Sequence, residues 1–220
     1  MGIITVSGSG KVEVKPDTTA VSVSFSGLEP TFSQAVYVSS EKMHRLKENL
    51  RKDGIEDEMI EDRRNSIEKA EHREKDKKTD SYRNVFDGYG YEYSLVARFP
   101  IDMNRLGDIL MHLSNMDVGF EVKYWYESSN IEEEKLKALE LAVRDARQKA
   151  SIIAEASGKK LGEPKHISDG SGRIYYDDDD YESDHRIMCC DNSMEAPPVI
   201  DSNPRDTIVS AKVETEWESI

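Results

Sequence analysis

The sequence predicts an α+β protein with a ferredoxin-like βαββαβ core at about residues 19–126. Alternation of apolar and polar residues indicates strands, and apolar residues spaced three and four apart indicate helices. From residue 19 to residue 126 the predicted segments run strand, helix, strand, strand, helix, strand, which is the order of the split βαβ arrangement. An N-terminal strand, a long alanine-rich helix at about residues 130–157 and C-terminal strands extend this core.

The first strand is predicted over residues 3–14. Gly8 and Gly10 within it indicate a bulge or the close approach of another backbone segment. The run does not match a nucleotide-binding loop, because a P-loop needs Ser or Thr directly after its lysine and here Val12 follows Lys11. We therefore expect a structural role for these glycines.

The core begins with a strand and a helix. Residues 19–27 alternate in polarity and predict a strand with one buried face. A capping box begun by Thr31 opens a predicted helix over residues 31–52, and Asp53 with Gly54 ends it. One apolar stripe is expected to face inward on this helix, consisting of Phe32, Val36, Ser39, Met43, Leu46 and Leu50.

Residues 59–70 and 82–99 predict two long strands joined by a solvated hairpin tip, and a helix is the alternative for the polar stretch up to residue 80. Three tyrosines share one face of the second strand, namely Tyr89, Tyr91 and Tyr93. Aromatic residues are enriched both in cores and at subunit contacts, so this stripe is expected either to cover the core or to meet another subunit. A ligand-stacking surface is the third alternative.

A helix over residues 103–115 and a strand over residues 118–126 complete the core. The most strongly patterned helix follows at residues 130–157, with Ser129 opening a capping box and Gly158 as its stop. Its apolar repeat consists of Leu136, Leu139, Val143, Ala146, Ala150 and Ile153. Its alanines are expected to belong to the core, which lets the helix lie close to a sheet or to another helix.

The C-terminal part predicts a strand at residues 164–168, an acidic loop or insertion at residues 169–203 and a final strand at residues 206–217. We expect residues 1–220 to form a single unit. The alternative is a subdivision into the core at residues 19–126 and a second lobe made of residues 1–18 and 127–220.

Composition and charge exclude some classes of partner. The chain has 220 residues and a formal net charge of −14, which repels phosphate backbones and argues against a nucleic-acid partner. No apolar run approaches the ~20 residues of a membrane span. The charge is uneven: residues 169–195 hold nine acids and two bases, whereas residues 63–78 hold seven bases and four acids. These opposite signs suggest pairing between neighbouring subunits.

No motif assigns chemistry, so the sequence predicts no catalytic residue, cofactor or metal centre. The weak metal candidates are the acidic run of Asp177, Asp178, Asp179 and Asp180, which lacks the glycine and closing Glu of a calcium loop. The histidines lack ligand spacing and are expected at the surface or its boundary. Cys189 and Cys190 are adjacent, build no disulfide framework and are expected to be reduced.

Six short segments carry a family resemblance across nearly the whole chain. They are residues 6–10, residues 16–21, Gly88-Tyr89, residues 142–150, residues 158–162 and residues 208–213. In this order and spacing the set resembles the SIMPL-domain family, a domain of unknown function. The resemblance implies mostly bacterial relatives that are often exported, some forming ring- or channel-like oligomers and some linked to oxidative stress. It implies no catalytic residue.

These observations predict a non-catalytic binding or scaffold protein that forms a homo-oligomer, with an unidentified further protein partner. The candidate interface residues are Tyr89, Tyr91, Tyr93, Arg73, Lys75 and Lys77. The alternatives are an enzyme with an unrecognised site, which a cleft of converging titratable groups would favour, and a weak cation binder using the acidic loop. Because no leader precedes the first strand, a cytoplasmic location is expected, and the mature form of an exported protein is the alternative.

Overall fold

A computed structural model describes residues 2–75, 82–116, 119–169, 185–189, 200 and 204–220, with residues 185–189 described by their backbone alone. Lys77, Asp177 to Asp180 and Cys190 lie outside these residues, as does the side chain of Cys189. The protein is α+β, as predicted. In chain order the elements are β1 Gly2–Val14, β2 Thr18–Glu29, α1 Phe32–Lys52, a 3₁₀ turn Asp57–Met59, β3 Ile60–Lys75, β4 Tyr82–Pro100, α2 Met103–Ser114, β5 Phe120–Glu127, α3 Ile131–Ala156, β6 Leu161–Asp169, β7 His185–Cys189 and β8 Thr207–Ser219.

The chain folds as two compact units. The central unit contains Thr18–Tyr126 and Asp184–Ser202. The terminal unit contains Met1–Asp17, Glu127–Ser183 and Asn203–Ile220. None of the helices in the described ranges is long and apolar enough to cross a membrane.

In the central unit the described strands form one sheet in the order β3-β4-β2-β5-β7. β4 pairs antiparallel with both β2 and β3, and β5 pairs antiparallel with β7. From β2 to β5 the elements follow the predicted order of strand, helix, strand, strand, helix, strand. One face of the sheet and the helices α1 and α2 enclose the core, whose largest fully buried side chains include Phe99, Leu46, Leu50, Leu95, Leu106 and Leu110.

The predicted inward stripe of α1 is wrong at its N-terminal end. Thr31 is the N-cap, as predicted, and its hydroxyl accepts the Gln34 backbone N–H at 3.3 Å. Phe32 and Val36, however, are exposed, and Ala35 is fully buried in their place. The helix turns its smallest side chain toward the sheet in its first turn, which leaves the larger apolar groups at the surface.

β7 corrects the prediction of a continuous loop over residues 169–203. His185–Cys189 pairs with β5, with Phe120 opposite Cys189 and Tyr124 opposite His185. A five-residue strand at the edge of a sheet shows little alternation of its own. The backbone of β5 supplies the pairing, and this long-range partner is not visible in the local sequence.

In the terminal unit the described strands form a sheet in the order β1-β8-β6, and α3 packs on one face. The helix buries an alanine stripe that repeats every four residues, made of Ala138, Ala142, Ala146, Ala150 and Ala154. The prediction that these alanines belong to the core is confirmed. The predicted apolar repeat is wrong at its two ends, since Leu136 is 68% exposed and Ile153 is 44% exposed, whereas Leu139 and Val143 are partly buried against the core.

Gly8 and Gly10 explain why only alanine fits on this helix face. A Cβ added to Gly8 would lie 2.0 Å from the Ala142 carbonyl oxygen, and one added to Gly10 would lie 2.0 Å from the Ala138 carbonyl oxygen. The strand backbone therefore contacts the helix backbone directly. The predicted structural role of these glycines as a close approach is confirmed.

α3 also covers part of the free edge of β1. The Asp145 carboxylate accepts the Ser9 backbone N–H at 2.8 Å, and the Lys149 ammonium donates to the Ser7 carbonyl at 3.1 Å. Asp145 and Lys149 form an ion pair at 2.7 Å. The hydrogen bonds from Lys149 and from Ser9 lower the pKa of the Asp145 carboxyl. This pair occupies backbone groups that an edge strand otherwise offers to another strand.

The predicted capping box of α3 is wrong. The N-cap is Asn130, and its side chain makes no capping hydrogen bond. The Ser129 hydroxyl instead donates to the Asp17 carboxylate, which also accepts the Ser129 backbone N–H at 2.9 Å. Because Ser129 is hydrogen-bonded to Asp17, it does not cap the helix. This long-range contact cannot be predicted from a local motif.

Candidate functional site

The first candidate surface is a two-stranded arm in the central unit. Pairing of β2 with β4 ends at Glu29 opposite Tyr89. Pairing of β3 with β4 continues from Ala70 opposite Gly88 to Lys75 opposite Tyr82. Residues 70–75 and 82–88, called the arm below, therefore extend past β2 by about 20 Å at 3.4 Å per residue.

A β-bulge at Gly88 sets the direction of the arm. The β3–β4 register shifts between Ala70 and Glu71, so that Ala70 faces Gly88 and Glu71 faces Phe86. Gly88 has φ 145°, and a Cβ there would lie 2.5 Å from the Glu29 carbonyl oxygen. Both the conformation and the space require glycine at this position.

The charges of the arm are paired with each other to a large extent. Arg83 donates to Glu74 at 2.7 Å, and this hydrogen bond lowers the pKa of the Glu74 carboxyl. His72 contacts Asp87 at 2.7 Å. The predicted interface residues Arg73 and Lys75 lie on this arm and are exposed.

Apolar side chains gather at the base of the arm. The Phe32 and Tyr89 rings lie 5.6 Å apart between centroids, and the Phe86 and Tyr89 rings lie 5.4 Å apart, both in edge contacts. Phe32 and Phe86 are each about half exposed, and Leu28 lies beside Gly88 with 52% exposure. Leu28, Phe32, Phe86 and Tyr89 form an exposed apolar surface, called the arm-base cluster below.

Sequence reasoning found only Tyr89 of this cluster. Phe86 lies an odd number of residues before Tyr89, which in a regular strand puts the two rings on opposite faces. The bulge at Asp87 and Gly88 inserts one residue and brings the rings together. The Asp-Gly dipeptide inside an otherwise continuous strand was the signal that could have indicated this change of face.

The other two tyrosines of the predicted stripe lie in the core. Tyr91 is 3% exposed, and its hydroxyl accepts a hydrogen bond from the Lys42 ammonium at 2.7 Å. Tyr93 is 9% exposed and stacks on Phe25 with centroids 5.5 Å apart. Tyr91 and Tyr93 therefore cover the core, which was one of the predicted alternatives. Tyr89 is the member of the stripe that reaches the surface.

The second candidate is a pocket of about 360 Å³ at the C-terminal ends of α1 and α2. It is lined by residues that include Arg45, Glu48, Asn49, Lys52, His112 and Asn115. Most of these side chains are polar or charged. A cleft of converging titratable groups is the feature that would favour the enzyme alternative, and Arg45, Glu48, Lys52 and His112 are titratable, so that alternative stays a prediction.

His112 is held at one wall of this pocket by Asp53. Its Nδ1 lies 2.6 Å from the Asp53 carboxylate, whose side chain is 4% exposed. Burial raises the pKa of the Asp53 carboxyl, and the hydrogen bond and charge of His112 oppose that rise. The second carboxylate oxygen, Oδ2, is buried and has no hydrogen-bond partner among the described residues.

This pairing has a chemical consequence for the imidazole. With Nδ1–H donating to Asp53, the neutral ring keeps a lone pair on Nε2, and the protonated ring donates from both nitrogens. Asp53 was predicted only as part of a helix stop. Its contact with His112 spans 59 positions of sequence, so no spacing rule could have indicated the pair.

A further pocket of about 310 Å³ lies between α1 and β3. Its lining includes Lys47 and Asp62, whose side chains form an ion pair at 2.9 Å. The two opposite charges neutralise each other there.

No group of three or more His, Cys, Asp or Glu residues in the described part of the chain is arranged to hold a metal ion. The weak metal candidates Asp177 to Asp180 lie outside that part, so the cation-binding alternative stays a prediction.

Comparison with known proteins identifies one family. The family model described as SIMPL, a protein of unknown function (DUF541), matches residues 4–217. No curated protein matches the chain.

Proposed function

The chain belongs to the SIMPL family, a family of unknown function, and on that premise we propose that it is a non-catalytic binding or scaffold protein that assembles with copies of itself. The arm and the arm-base cluster supply the contact surface. The observation that carries this proposal is the extension of β3 and β4 beyond β2 with exposed aromatic rings at its base.

A second copy of the chain is the favoured occupant of this surface. A two-stranded ribbon is marginally stable in water unless a third strand, a helix or another chain supports it. Exposed apolar groups that lie next to each other typically mark interaction sites. A second subunit that covers the arm-base cluster removes the exposed rings from water and gives the two-stranded arm a neighbour to pack against.

Charge complementarity adds a second argument for self-association. The segment 63–78, which contains much of β3 and part of the arm, has three more bases than acids, and the segment 169–195 has seven more acids than bases. Segments of opposite sign attract each other when two copies meet, and dissolved salt screens that attraction.

Size-exclusion chromatography with light scattering tests the proposal. At micromolar concentration we expect a mass that is a multiple of 25.0 kDa, larger or more persistent in low salt than in moderate salt. A monomeric mass in both salt conditions would contradict self-assembly.

A second candidate function rests on a different observation, the pocket beside His112. Its volume falls in the range of ~300–1,000 Å³ that small-molecule sites occupy. Ligand binding at this pocket is compatible with a scaffold role and does not require catalysis.

A further inference from the structure

Three nitrogen-bearing side chains converge on the pocket between the ends of α1 and α2. Arg45 and Lys52 come from α1 and His112 comes from the last turn of α2. Arg45 and Lys52 are exposed. All three belong to the central unit, so one compact body holds them.

The negative groups near this pocket are largely engaged or set back. Glu48 lines the pocket, but its carboxylate contacts His44 at 3.3 Å. The Asp53 carboxylate is hydrogen-bonded to Nδ1 of His112. Burial, and to a smaller extent the charge of Asp108, raises the pKa of the Asp53 carboxyl. The carbonyl ends of both helices add partial negative charge to the pocket, which the side chains of Arg45 and Lys52 must outweigh for an anion to bind.

The hydrogen bond with Asp53 decides which nitrogen of the His112 ring is available to a ligand. The buried carboxylate accepts from Nδ1, so Nε2 is the ring nitrogen left for another partner, and no partner for it is found among the described residues. A protonated ring then donates Nε2–H while it stays paired with Asp53. A cationic ring beside Arg45 and Lys52 makes a site for a negatively charged oxygen group.

We propose that this pocket binds a small phosphorylated molecule, with Arg45, Lys52 and His112 holding its phosphate group and Asp53 acting as a positioning residue. The volume of about 360 Å³ leaves room for an organic part attached to the phosphate. This inference does not depend on self-assembly.

The test is an NMR titration that follows the His112 imidazole signals with inorganic phosphate and with glycerol 3-phosphate at constant ionic strength. At a pH of about 6 we expect saturable shifts for both probes, with the tighter binding for the ester.

Matched variants separate the site from a general attraction of anions. Arg45→Gln and Lys52→Gln change exposed residues and are expected to keep the fold while each weakens binding about tenfold. Lys69→Gln removes an exposed cation of β3 that is not part of the pocket lining, and it should leave the titration unchanged. Shifts that do not saturate, or that survive unchanged in Arg45→Gln and Lys52→Gln, would overturn the proposal.

Asp53→Asn gives a readout that a purely structural role would not move. If Asp53 positions the ring, the variant weakens the binding of both probes about tenfold, and the ¹⁵N signals of His112 show an altered sharing of the proton between Nδ1 and Nε2, because a neutral amide binds Nδ1–H less strongly than a carboxylate does. Unchanged ¹⁵N signals and unchanged affinity in a folded Asp53→Asn protein would contradict the role given to Asp53.

Discussion

Gly8 and Gly10 show how two residues without side chains fix the packing of a whole helix. Each lies within 2.0 Å, measured from an added Cβ, of a carbonyl oxygen of α3. The sequence indicated a bulge or a close approach, and the structure shows which backbone approaches. The identity of that partner depends on residues about 130 positions away, which local patterns do not reveal.

We predict that Gly8→Ala and Gly10→Ala each lower the free energy of unfolding by about 2 kcal/mol or more, because the added methyl group must displace the helix. Urea unfolding measures the change. Gly119→Ala is the matched control, since an added Cβ there meets no atom within 4 Å, and it should change stability by less than ~0.5 kcal/mol. Equal, small effects at all three positions would contradict the close contact.

Two carboxylates should have opposite effects on the pH dependence of stability. Burial raises the pKa of Asp53 above its ordinary 3.8, so the folded state holds its proton to a higher pH and this group lowers stability as pH rises through that window. Lys149 and Ser9 lower the pKa of Asp145, so this group contributes stability above pH 3.8 that is lost as pH falls through its folded pKa.

The corresponding prediction compares Asp53→Asn and Asp145→Asn with the wild type between about pH 3 and about pH 5, below the range where histidine titrates. As pH rises, the free energy of unfolding of the wild type minus that of Asp53→Asn should fall. The free energy of unfolding of the wild type minus that of Asp145→Asn should rise over the same range. Urea unfolding at several pH values measures both differences. If both differences in stability changed with pH in the same direction, the direction of the pKa shift given to Asp53 or to Asp145 would be wrong.

At the scale of elements, α3 shows that the largest apolar side chains do not always mark the buried face. The sheet of the terminal unit selects the alanine stripe, because β1 lies too close for leucine or isoleucine. Helical periodicity predicted the helix correctly, but it allowed two overlapping stripes. The choice between them depends on how near the strand backbone comes, which is a tertiary property.

For α3 we predict that Ala146→Leu destabilises the protein by about 1–3 kcal/mol, since Ala146 is fully buried against β1. Leu136→Ala, at a position 68% exposed, should change stability by less than ~0.5 kcal/mol. Thermal unfolding gives the comparison, with about 2–4 °C per kcal/mol expected for a chain of this size. A larger loss from Leu136→Ala than from Ala146→Leu would mean that the helix packs by its other face.

At the scale of the whole molecule, the sequence predicted what repeats locally and missed what depends on distant partners. The α+β class, the order of elements from β2 to β5 and the SIMPL family follow from periodicity, capping residues and short motifs. The pairing of β7 with β5, the contact of Ser129 with Asp17 and the Asp53–His112 pair join residues far apart in sequence. No local pattern encodes these contacts.

The central claim is that the arm-base cluster mediates self-assembly, and sedimentation equilibrium of three proteins tests it most directly. The wild type is compared with Phe32→Ser/Phe86→Ser, which removes two exposed rings of the cluster, and with Leu136→Ser, which removes a similarly exposed apolar group from α3. We predict that the wild type and Leu136→Ser associate equally, and that Phe32→Ser/Phe86→Ser associates at least about tenfold more weakly. A monomeric wild type, or equal association of all three proteins, would contradict the claim.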